Sequence, residues 1–116
     1  MTAGSGITSH VLDLTTGQPA ADLEIVLEAA GASGAWRELG RARTDAGGRV
    51  ETLTPGGTCL PGRYRLRFET GRYFAARDIA PLHPVVEVAF TVRDGEPHYH
   101  VPLLLGPFGY TTYRGS

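Results

Sequence analysis

The sequence has almost no cysteine. Cys59 stands alone, so an intramolecular disulfide is excluded and a reducing, cytoplasmic setting is the simpler expectation. No run of about 18 apolar residues occurs, so no membrane-crossing helix is expected. The first ten residues, MTAGSGITSH, have neither a basic nor an apolar segment, which argues against a secretory leader. Neither sign of charge dominates, with 11 Lys and Arg against 12 Asp and Glu and a formal net charge of −1. Without a basic stripe, neither nucleic acid nor an anionic membrane is expected as a partner. Internal repeats and low-complexity segments are missing. So is a G-x-S-x-G nucleophile elbow, and Cys59 lacks an obvious neighbouring base, so nucleophile-based hydrolysis is poorly served.

At 116 residues the chain reads as one domain over residues 1–116. Its 16 glycines and 8 prolines are spread as punctuation, which suits many short strands joined by turns. Alternation predicts strands over residues 7–14, 23–29, 36–44, 63–70 and 85–92, with a short strand starting at Arg49. Residues 15–19 read as a loop and residues 45–48 as a tight turn. In RYRLRFET, Tyr64, Leu66 and Phe68 face inward while Arg63, Arg65, Arg67 and Glu69 form a solvated row. GRYFAARD, residues 71–78, is the one predicted helix, of two turns at most and ended by Pro81 and Pro84. Two closing strands bring the count to eight, so the expected fold is all-β, a two-sheet sandwich with one short helix.

The closing stretch is HYHVPLLLGPFGYTTYRGS, residues 98–116. Strand parity puts His98, His100, Pro102 and Leu104 on one face and Tyr99, Val101, Leu103 and Leu105 on the other. The second set is core; the first is a wall carrying imidazoles. Pro102 lacks an N–H and predicts an edge or irregular position. Thr111 and Tyr113 should share a face of the last strand. In the first strand, His10 and Leu12 lie opposite Val11. His83, between Leu82 and Pro84, is expected to be structural or exposed. His98 and His100 have the spacing of a chelating pair, but no third Cys or His lies within sequence reach, so neither metal nor cofactor is expected.

HYHVPLLL followed by YRGS resembles the signature of the transthyretin-related 5-hydroxyisourate hydrolases. HVLD at His10 to Asp13, GGR ending at Arg49 and the Tyr73-Phe74 pair in the helix resemble the remaining family landmarks. The resemblance covers nearly the whole chain and implies a transthyretin-like β-sandwich. It implies hydrolysis of 5-hydroxyisourate to 2-oxo-4-hydroxy-4-carboxy-5-ureidoimidazoline, a step of urate degradation, without a cofactor. The site it implies comprises His10, Arg49, His100 and Ser116 as catalytic residues, with His10, Arg49 and Tyr113 holding substrate. The assembly it implies is a homotetramer, a dimer of dimers.

The residue types suit that chemistry. A neutral imidazole, with an ordinary pKa near 6.5, serves as a general base at neutral pH. The Arg49 guanidinium answers developing anionic charge, and the Tyr113 ring lies against a flat substrate. Which of His10 and His100 is the base stays open at this level. His98, at the start of its strand, is expected to be a bystander. The alternative reading is a transthyretin-like carrier of small aromatic ligands. It has little use for two imidazoles and a guanidinium in one channel.

Overall fold

The computed structural model describes residues 6–116. Ten strand segments and one α-helix follow one another along the chain. They are β1 (Gly6–Asp13), β2 (Gln18–Pro19), β3 (Glu24–Ala30), β4 (Trp36–Arg43), β5 (Arg49–Val50), β6 (Gly62–Phe68), α1 (Thr70–Ala75), β7 (Val86–Val92), β8 (His98–His100), β9 (Leu103–Leu105) and β10 (Tyr110–Thr112). One sheet is antiparallel in the order β4-β3-β6-β7. The other is built around β1, which pairs in parallel with β8 and β9 and antiparallel with β2 and β5, while β10 adds to β9.

Alternation decides what lies between the sheets. Ile25, Leu27, Leu66 and Phe68 of one sheet and Ile7, Val11, Leu103 and Leu105 of the other are buried in a common core. Each such side chain contributes roughly 1.5–3 kcal/mol on burial, so a core of this size needs no disulfide to hold it. The helix closes one end through Tyr73 and Phe74. Tyr73 Oη donates to Asp13 Oδ2 at 2.7 Å, and burial followed by this carboxylate pushes the phenol pKa up to about 12. The phenol therefore stays a donor and pins the end of β1 to the helix.

The irregularity expected at Pro102 is present: Val101 and Pro102 separate β8 from β9. The register against β1 is the same on both sides, with Thr8 opposite His100 and Val11 opposite Leu103. The gap is bridged by Val101 N donating to Thr8 O at 3.0 Å and Ser9 Oγ donating to Val101 O at 2.7 Å. Part of the predicted 15–19 loop folds back as β2 against Leu12 and Asp13. The helix stops at Ala75, ahead of both prolines, where Asp78 at φ 57° turns the chain. Strand β10 ends at Thr112, so Tyr113 lies outside it.

Candidate active site

Strand β1 supplies Thr8 and His10, two residues apart and therefore on the same face. Parallel pairing with β8 sets His100 opposite Thr8, and antiparallel pairing with β5 sets Arg49 opposite His10. Opposed residues have Cβ atoms about 4.5–5.5 Å apart, so four polar side chains from three strands meet on one sheet face. A bridge between His100 and Gly115, with Gly115 N donating to His100 O at 2.7 Å, brings Ser116 to the same place. The result is a cleft of about 460 Å³ walled by Thr8, Arg49, Glu51, His98, His100 and Ser116, with Thr52 at its side.

His100 is the most constrained member. Its Nδ1 lies 2.8 Å from Thr8 Oγ1. Gly115 packs so closely on the other side that a Cβ there would stand 2.7 Å from the imidazole Cδ2. Only Nε2 is left without a protein partner among the described residues. Burial first, and then the nearby charges of His98, Arg49 and His10, lower the His100 pKa below the ordinary 6.5, with Glu51 opposing. A half-buried imidazole kept neutral at neutral pH is a group prepared to accept a proton.

His10 is held differently. Its Nε2 lies 2.9 Å from Gly47 O; a carbonyl only accepts, so the proton is assigned to Nε2 and the lone pair of the neutral ring to Nδ1. The turn carrying that carbonyl is fixed by Asp45 Oδ1, which accepts from Gly47 N and Arg49 N, each at 2.9 Å. Gly48 sits at φ +78°, and a Cβ on it would stand 2.5 Å from Val11 O, so the turn requires glycine. His10 is the strand partner of Arg49 and is not one of the residues that wall the cleft. The Arg49 guanidinium is exposed and has no ion-pair partner among the described residues.

The structure thus brings Arg49, His100 and Ser116 together in the cleft, with His10 paired to Arg49 on the neighbouring strand. It does not bring Tyr113. That ring, 54% exposed, lines a separate cavity of about 320 Å³ with Val88, Phe90, Tyr99 and Arg114. His98, the first residue of β8, pairs with Gly6, walls the cleft and has a buried Nδ1 with no hydrogen-bond partner among the described residues. Arg114 lies 4.0 Å from the centre of the Tyr99 ring and donates to His98 O at 3.2 Å, which clamps the chain just before Ser116. His83 packs edge-on against Tyr110, away from this face.

Three wall residues were missed in the sequence. Thr8 shares the parity of His10, a signal that was available. Glu51 and Thr52 follow a strand too short to carry a periodic signal. Among the described residues, no group of three or more His, Cys, Asp or Glu side chains is placed to hold a metal ion.

Two sheets in this topology, closed by one short helix, define a transthyretin-like β-sandwich. The chain belongs to the HIUase/Transthyretin family, whose model matches residues 7–115. It is similar to the 5-hydroxyisourate hydrolase of Salmonella typhi, at 44% identity over all of this chain and 85% of that one. Among solved structures it resembles transthyretin from Sparus aurata, with a TM-score of 0.87 and 33% identity over 94% of this chain and 95% of that one. It also resembles 5-hydroxyisourate hydrolase of Klebsiella pneumoniae, with a TM-score of 0.83 and 34% identity over 95% and 98%. The backbone is common to proteins of both names, so a functional reading has to rest on side chains.

Proposed function

We propose that this chain hydrolyses 5-hydroxyisourate to 2-oxo-4-hydroxy-4-carboxy-5-ureidoimidazoline, a step in urate breakdown, with His100 as the general base. The observation that carries the reading is a half-buried, neutral His100 whose Nε2 has no protein partner among the described residues, in one cleft with an Arg49 that has no ion-pair partner among them. His100 walls the cleft and His10 does not, and this favours His100 over His10 as base.

Water attacks the carbonyl carbon of a ring amide as His100 Nε2 takes its proton. The carbonyl oxygen becomes an oxyanion that the Arg49 guanidinium stabilises by charge-assisted hydrogen bonds. The C–N bond then breaks, the His100 imidazolium returns the proton to the leaving nitrogen, and the product carries a new carboxyl and a ureido group. The Ser116 hydroxyl, in the cleft wall, and His10, beside Arg49, orient substrate and water. A passive carrier would leave these polar groups without work.

Tyr113 fits this scheme only through assembly, because its ring faces another cavity within its own chain. A homotetramer, as a dimer of dimers, would let a second copy supply it. Support for association comes from apolar groups on or beside the site sheet: Leu12 and Leu104 are half-buried, and Leu14 and Phe108 are 55% and 74% exposed. Light scattering should give a mass about four times the 12.4 kDa of one chain, and a mass near one chain would contradict the assembly.

The activity itself is tested by adding freshly generated 5-hydroxyisourate and following its ultraviolet decay, with spontaneous decay subtracted. Accelerated decay is expected; a rate equal to the spontaneous one would overturn the reading.

A further inference from the structure

We infer that Thr8 is a positioning residue for the hydrolysis proposed above, its hydroxyl accepting the Nδ1 proton of His100 and so presenting Nε2 as the lone-pair nitrogen. A hydroxyl can donate to a ring nitrogen or accept from it, so the contact by itself leaves the tautomer open; a base acting through Nε2 requires the proton on Nδ1, with Thr8 as its acceptor. The only protein partner of either ring nitrogen among the described residues is Thr8 Oγ1, 2.8 Å from Nδ1. Thr8 is 5% exposed, so water competes poorly for that contact.

The pairing is built into the fold. Parallel register places Thr8 directly opposite His100, and Thr8 O accepts from Val101 N at 3.0 Å. Ser9 Oγ holds Val101 O at 2.7 Å, so neither strand slides past the break at Pro102. Gly115 closes the other side of the ring, where even a methyl group would collide with Cδ2. The His100 ring is thus flanked by Thr8 at Nδ1 and by Gly115 at Cδ2.

A hydroxyl suits this role better than a carboxylate would. It can accept the Nδ1 proton without adding negative charge, so it supports this tautomer without the pull toward imidazolium that a carboxylate would exert. The titratable and charged groups facing His100 are His98 on its own strand, His10 on β1, and Arg49 and Glu51 on and just after β5. Three of these four are basic side chains, so the surroundings do not favour a protonated ring. During turnover the Nδ1 proton stays on Nδ1, while Nε2 takes a proton from water and returns it to the leaving nitrogen.

This inference rests on the hydrolytic reading, so its test includes a measurement independent of activity. Long-range proton–nitrogen correlation on the 15N-labelled protein, above the imidazole titration range, should show His100 with Nδ1 protonated and Nε2 bare. Thr8→Val keeps the shape and removes the acceptor. It should mix the two tautomers and lower kcat by roughly 10-fold while KM stays within about two-fold. Thr8→Ser should restore both the spectrum and the rate.

An active wild type whose His100 carries its proton on Nε2 would overturn the inference, whether or not Thr8→Val folds. So would a Thr8→Val chain with full kcat, or one whose loss appears only in melting temperature with the tautomer unchanged. A wild type that leaves 5-hydroxyisourate untouched while showing the expected tautomer would sink the hydrolytic reading, and with it the catalytic part of this role.

Discussion

The outer face of the four-stranded sheet is crowded with charge. Arg41 bonds Glu24 and Glu38 at 2.7 and 2.8 Å, and Arg65 bonds Glu28 at 2.7 Å and lies 3.8 Å from Glu87. Arg67 reaches Glu69 at 3.1 Å and Glu87 at 3.7 Å. The outer face of the other sheet has fewer ionic groups, but their capacity is unspent: Nε2 of His100 and the Arg49 guanidinium lack protein partners among the described residues. A dense row of ion pairs satisfies itself and has little left to offer a ligand. Each exposed pair is worth about 0–1 kcal/mol to stability. The sparser face is the one able to bind and to move a proton, so uncommitted hydrogen-bonding groups locate the site better than charge does.

The contrast can be broken most forcefully at His100. His100→Asn keeps a polar side chain of similar size and removes the titrating nitrogen, so kcat should fall by about 10²-fold or more in the 5-hydroxyisourate decay assay. Full activity in that variant would place the chemistry elsewhere. Arg49→Lys is the next largest. It keeps the charge and loses the planar fork, and kcat/KM should fall by roughly 10-fold, measured from the substrate dependence of the initial rate. On the other sheet, Arg65→Gln should leave kcat within about two-fold and cost about 1 kcal/mol in denaturant unfolding. A large loss of activity there would erase the distinction between the faces.

Much of this face was legible because strand parity is strict. Alternation alone put His10 with Leu12 and His100 with Leu104, and both pairs lie on the outer side of the site sheet. The inward row of Tyr64, Leu66 and Phe68 was equally plain, and all three are buried. Partnership across the sheet was not legible. Thr8 and His100 are 92 residues apart, and no local pattern announces a parallel pairing over that distance. The pairing of His98 with Gly6 is long-range in the same way and was no more legible. The ending of β10 before Tyr113 turned that ring toward another cavity, which parity along a longer strand would have denied. The helix ends ahead of the prolines in a local turn, with Asp78 N donating to Ala75 O, Ile79 N donating to Phe74 O and Asp78 in the left-handed region, a closure that apolar periodicity does not announce.

The most direct test of the account is the pH dependence of kcat/KM in wild type and in His100→Asn. Because burial and neighbouring positive charge lower the His100 pKa, the base is neutral, and activity full, above that value; activity is lost as pH falls through it. The predicted result is an acid limb centred below the ordinary imidazole value of 6.5 in wild type and missing from the residual activity of His100→Asn. An acid limb centred at or above 6.5, or one that persists unchanged without His100, would contradict the account.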